Sequence, residues 1–193
     1  MKRFLSSLLL VVFSISIHAN PPARADSQTD IESAKAAVKS FAGALQKELK
    51  TAMQSGGPVA AIEVCNTRAM PISQLISAEK GMDLGRVSLK NRNPQNAPNH
   101  WQTAVLQNFE AQKATGKDVQ SLAWSETVET DDGTEFRFMK AIPTGGLCLA
   151  CHGTSISPEV SGKLAELYPE DKATGFSEGE IRGAFVVTRK TGD

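Results

Sequence analysis

The 193-residue sequence predicts an α+β domain. Two observations carry this. Apolar residues recur at spacings of three and four from Ile31 to about Gln54, as on one face of a helix, and further helical pieces follow to Lys80. Strand-like runs then gather in the second half around a hairpin turn signal, in the order of an α+β fold rather than the alternation of a βαβ sheet. No glycine-rich phosphate loop precedes a helix, so nucleotide binding is not expected.

The chain starts Met1-Lys2-Arg3, and residues 4–17 (FLSSLLLVVFSISI) are apolar apart from serines. That length suits the core of a secretory signal better than a membrane span. Cleavage is expected after Ala19, with Ala25 as the alternative, so residues 1–19 read as a signal peptide and the mature protein as exported, soluble and free of stable membrane insertion. Removing residues 1–19 takes away two of the 21 basic side chains and leaves 19 against 21 acidic ones. A near-neutral chain gives no reason to expect a nucleic-acid partner. Residues 20–30 read as a polar, flexible leader, and residues 31–189 as one domain.

In the first helix Ala34, Val38, Phe41, Ala42, Leu45, Leu49, Ala52 and Met53 form one stripe. Gly56-Gly57 should end it and Pro58 should open the next, which carries Ile62 and Cys65. Pro71 should interrupt that helix before residues 72–80 continue. A short strand is expected at 84–89, then a loop at 91–99 rich in Asn and Pro. Asn99 should cap a helix over 100–114. Strands are expected at 119–129 and 135–142, turning at Asp132-Gly133, with Phe136 and Phe138 on one face. A short helix at 158–167 and a closing strand at 181–188 complete the order.

Between the last two elements of the hairpin and that short helix lies GGLCLACHGT, residues 145–154. Cys148, Cys151 and His152 form a Cys-x-x-Cys-His pentapeptide, the attachment pattern of c-type haem. Two thiols three apart reach the two vinyl groups of one porphyrin, and the adjacent imidazole supplies an axial nitrogen. Export agrees, because such haem is attached outside the bacterial cytoplasm. Gly145, Gly146 and Gly153 would let backbone approach a flat cofactor. Two alternatives stand beside it. One is a redox disulfide between Cys148 and Cys151, which usually sits in a βαβ setting. The other is zinc held by Cys148, Cys151, Cys65 and either His152 or His100, although no second paired spacing exists. With haem bound, the opposite axial position could be filled by Cys65, His100, Met53, Met70, Met82 or Met139. Methionine at helical or strand spacing is more often core than ligand. Cys65 is the thiol left over once haem takes two, and small Ala61 and Ala69 lie one turn to either side of it.

Three segments, AAIEVCNTRAMPIS (60–73), GRVSLKNRNPQNAPNHW (85–101) and CLACHG (148–153), resemble a bacterial family of exported mono-haem c-type domains long classed as of unknown function. The resemblance covers about residues 31–189. It implies a PAS-like fold, with a central antiparallel sheet, a long N-terminal helix and flanking helices. It also implies one covalent haem c, with His152 as proximal and Cys65 as distal iron ligand. Arg86 and Arg92 are candidate propionate contacts on charge alone. The expected role is a periplasmic, non-enzymatic, cytochrome-like protein in low-potential electron transfer or redox and gas sensing. Its expected partners are haem-maturation machinery and a separate redox or signalling protein, since no output domain follows Asp193 in this sequence. A peroxidase-type enzyme is the alternative; it needs an open distal site, with His100 as its acid–base group. Trp101, Phe136, Phe138 and Tyr168 are aromatic candidates for the pocket wall.

Overall fold

The structure, a computed structural model, describes residues 23–191. The expected signal peptide, residues 1–19, lies outside them, as do residues 20–22 of the expected leader. The rest of that leader is not loose. Helix α1 (Ala23–Thr67) begins there, and Asp30 is buried in an ion pair with Arg189 of the closing strand. That tertiary contact overrides the polar composition of the segment.

Helix α1 is two helices joined at a kink. Gly57 sits at φ 69°, ψ −163°, and Pro58 follows it as the first residue of the second piece. Glycine reaches this left-handed region without a Cβ clash, and proline has no N–H to leave unpaired there. Helix α2 (Ala69–Lys80) holds Pro71 in its first turn, where proline is tolerated, so the break falls at Arg68 rather than at the proline. Gly81 closes α2 in the left-handed conformation.

Strands β1 (Asp83–Val87), β2 (Ala123–Thr130), β3 (Gly133–Pro143) and β4 (Ile181–Thr191) form one antiparallel sheet in the order β1-β4-β3-β2. The hairpin is displaced by one residue from expectation. Thr130 pairs with Gly133, so Asp131-Asp132 make the turn. Residues 119–121, expected as strand, form a 3-10 turn capped by the Asp118 carboxylate. Helix α3 (His100–Ala114) starts at a capping box in which Asn99 and Gln102 bond each other's backbone N–H, at 3.1 and 2.9 Å. Helix α5 (Pro158–Leu167) follows the short α4 (Leu149–His152).

Strand alternation divides the core between the two sheet faces. Phe136, Phe138, Leu84 and Val187 pack with Phe41 and Leu45 of α1. Met139, Ala141, Ala184 and Val186 pack with Val105, Leu106 and Phe109 of α3. The second piece of α1 buries Ile62 against Val160, Leu164 and Tyr168 around α5. The α+β class, the antiparallel sheet and the long N-terminal helix are as the sequence predicts. Among the described residues no helix is long and apolar enough to cross a membrane.

Candidate functional site

A cavity of about 530 Å³ opens between the two pieces of α1, helix α2, strand β1 and the Cys-x-x-Cys-His turn. Ligand pockets commonly have volumes of this order. Cys65, Cys148, Cys151 and His152 all line it, so the structure brings together the four residues that carry the sequence argument.

The motif turn is short. A 3-10 turn over Gly146–Cys148 runs into α4 (Leu149–His152), which places the two thiols one turn apart. Gly153 ends it with an N–H to the Leu149 carbonyl at 2.9 Å. A Cβ at Gly153 would stand 2.5 Å from that same oxygen. The turn itself therefore requires a glycine here.

His152 is held by its Nδ1–H, which donates to the Ala173 carbonyl at 2.7 Å. A carbonyl can only accept, so the proton sits on Nδ1 and the Nε2 lone pair is the free donor. Burial, followed by the nearby Arg182 and Arg92 guanidiniums, lowers the imidazole pKa to about 2 and keeps the ring neutral. The Nε2 atom receives a long N–H contact from Arg182 Nε at 3.5 Å.

Cys65 lies on the second piece of α1, and Ala61 and Ala69 line the cavity with it. Arg68, its other neighbour, faces solvent and pairs with Glu48 instead. Burial pushes the Cys65 thiol up, while Arg86, Arg92 and Arg182 act in the opposite direction. All three cysteines are free thiols.

The three arginines differ in partners. Arg86 stacks over the Phe41 ring at 5.5 Å and faces the cavity, and burial lowers its pKa while Cys65 raises it. Arg182 donates to the Ser88 hydroxyl at 3.2 Å and the Lys90 carbonyl at 3.3 Å, both neutral groups. Burial and the two other guanidiniums lower its pKa to about 10. Arg92 is committed elsewhere, to Asp171 at 3.0 Å and to the Cys151 and Ala173 carbonyls at 2.6 and 3.2 Å. Its Nε and Nη2 N–H groups are thus engaged with protein, while the residue still lines the cavity. Arg182 was missed, because it reads as an ordinary strand residue until β4 folds beside β1.

The other candidates separate cleanly. Met82 and Met139 are buried in the two face cores. His100 is exposed at the start of α3, outside the cavity wall. Met53 and Met70 do line the cavity, Met70 with 47% of its surface exposed. Among the aromatics, Tyr168 lines the wall, whereas Phe136 and Phe138 fill the core under α1 and Trp101 stacks on Trp124 at 5.7 Å. Among the described residues no three His, Cys, Asp or Glu side chains converge closely enough to hold a metal ion. The four zinc donors therefore line a cavity rather than form a tetrahedral cluster, which disfavours the zinc reading. The same donor set fits a flat macrocycle: a neutral imidazole nitrogen, two vinyl-reactive thiols, a further thiol, and guanidiniums for carboxylates.

Comparison with known proteins gives the family and a similar fold. The family model described as "Tll0287-like: Tll0287" matches residues 18–189. The crystal structure of the cyanobacterial heme-protein Tll0287 is similar in fold, with a TM-score of 0.59, 22% sequence identity, and coverage of 91% of this chain and 99% of that one. No curated protein matches significantly.

Proposed function

We propose that this chain, which belongs to the Tll0287-like family, is an exported mono-haem c-type protein that works as a low-potential one-electron carrier or redox reporter. The observation that carries the proposal is that Cys65 and the Cys148–His152 turn line one cavity although they lie more than 80 residues apart. The similar solved structure is described as a heme-protein, and the same cofactor class suits this cavity.

A haem held here would supply a one-electron ferric/ferrous couple. The chain's own residues divide the remaining work. The Cys148 and Cys151 thiols would hold the haem, each by addition across one vinyl bond, sulfur to one carbon and proton to the next, with no leaving group. His152 offers Nε2 once the long Arg182 contact is released. Cys65 offers its sulfur from the α1 wall, and a thiolate there favours the ferric state and a low potential. Arg86, Arg92 and Arg182 lower the cost of holding that thiolate. Among the described residues Arg86 and Arg182 form no ion pair with a carboxylate, and they are suited to the propionates.

With His152 and Cys65 both on the iron, no position would be open to peroxide, which favours a non-enzymatic role. The position of His100, away from the cavity, supports the same reading. Attachment outside the cytoplasm agrees with the basic-then-apolar start of the sequence and points to the periplasm, with haem-maturation machinery as the first partner. The test is expression with that machinery, acid–acetone extraction, and a spectrum in alkaline pyridine. Haem that stays with the protein and gives a c-type haemochrome, one per chain, is expected. Protein without haem, or haem lost to the solvent, contradicts the proposal.

A further inference from the structure

Arg92 ties the motif turn to a distant loop through contacts that the haem chemistry itself does not use. The residue is 8% exposed and belongs to the Asn/Pro loop after β1. Its guanidinium makes three contacts around one short segment. Nε pairs with Asp171 at 3.0 Å, and Nη2 donates to the Cys151 carbonyl at 2.6 Å and the Ala173 carbonyl at 3.2 Å. Asp171 in turn accepts the Ala173 N–H at 2.7 Å through its other oxygen. Ala173 is fully buried, and its carbonyl is the acceptor for His152 Nδ1–H. The Phe176 N–H returns to the His152 carbonyl at 2.9 Å, and the Gly175 N–H to the Gly153 carbonyl at 3.0 Å.

These contacts close a ring. The Ala173 carbonyl is aimed from one side by Asp171 and from the other by Arg92, and it accepts the His152 Nδ1–H. Arg92 at the same time fixes Cys151, one residue before that histidine. We infer that Arg92 is a positioning residue: through the Ala173 carbonyl and Asp171 it sets the tautomer and ring orientation of His152, and so tunes the iron ligand without touching it. This rests on the reading of His152 as an axial ligand, since the orientation of a ligating imidazole is commonly set by its outer hydrogen bond. The forked geometry is essential. A guanidinium reaches three acceptors in one plane, and an ammonium at the same place keeps the charge but not the fork. Loss of the fork therefore loosens the ring.

The test uses the haem-free full chain and the haem-loaded protein together. Nitrogen-15 NMR of labelled histidine reads which ring nitrogen of His152 carries the proton, with a His152→Gln variant to assign the signal. In the wild type the Nδ1–H form should dominate. In both Arg92→Lys and Arg92→Gln the ratio should move roughly fivefold or more toward Nε2–H, as expected for loss of one hydrogen bond's net preference. In loaded protein both variants should also shift the ferric electron-paramagnetic g values. A wild-type tautomer ratio and wild-type g values in Arg92→Lys would overturn the inference, because charge alone would then suffice. Should the Arg92 variants fail to fold, Asp171→Asn carries the test: its amide oxygen can still accept the Ala173 N–H while the ion pair is gone. The tautomer should move in the same direction, and an unchanged ratio overturns the inference. The two claims fail separately. A missing haemochrome removes the function proposed above and leaves the tautomer result standing, whereas an unmoved tautomer beside an intact haemochrome removes only the role of Arg92.

Discussion

The two faces of the sheet are built from the same four strands and do opposite things. Under α3, Met139, Ala184, Val186 and Phe109 close a dry core, with Met139, Ala184 and Phe109 wholly buried. On the other face, α1 covers Phe136 and Phe138 near its middle, but beyond the Gly57 kink its second piece packs on α5. The space left between them holds the cavity, with three cysteines, one histidine and three arginines in its wall. A helix that ran straight would have had no reason to separate from the sheet. The kink converts a packed face into a site, and the polar groups that a core would reject collect there.

That contrast can be broken in order of expected effect. Replacing Cys148 and Cys151 together by Ser should abolish covalent haem completely while changing the stability of the haem-free chain by no more than about 1 kcal/mol, because both thiols are only half-buried. Pyridine spectra and denaturant melts would read the two halves of this. Phe109→Ala, on the closed face, should do the reverse. It should cost about 3–5 kcal/mol in unfolding free energy, as large aromatic truncations in cores do, with the haem spectrum of the folded fraction unaltered. A spectral change in that variant would mean that the faces are coupled. Arg86→Gln sharpens the comparison most finely, because the sign should invert. Arg86 faces the cavity beside Arg92 and Arg182 and stacks on Phe41 without a carboxylate partner. Removing its charge should stabilise the haem-free chain by about 1 kcal/mol, the desolvation of a charged group outweighing the lost ring contact. The same variant should retain noncovalent haem less well, measured by haemin titration of tryptophan fluorescence in the haem-free protein.

Much of this was legible along the chain, and for local reasons. The Gly56-Gly57-Pro58 break, the Asn99 capping box and the alternation of Phe136 and Phe138 each depend on residues within a few positions of one another. The pentapeptide is legible for the same reason. What was not legible depends on distant partners. The leader becomes helix because Asp30 finds Arg189. Arg182 enters the site only through the pairing of β1 with β4. Arg92 gains its bracing contacts because residues 171 and 173 fold over it. The hairpin turn moved by one residue because the pairing of Thr130 with Gly133, and not the best turn dipeptide, sets the register. The methionines were sorted by face: Met139 falls on the side opposite to Phe138 and so in the α3 core, away from the cavity.

The proposed function requires one iron held between His152 and Cys65. The most direct measurement is the ferric absorption and electron-paramagnetic spectrum of the loaded wild type beside Cys65→Ala. A six-coordinate low-spin wild type that becomes high-spin in the variant, with the covalent haemochrome intact in both, is the predicted result. Identical low-spin spectra in the two proteins would contradict it, and would pass the distal position to Met53 or Met70, the methionines that share the cavity wall.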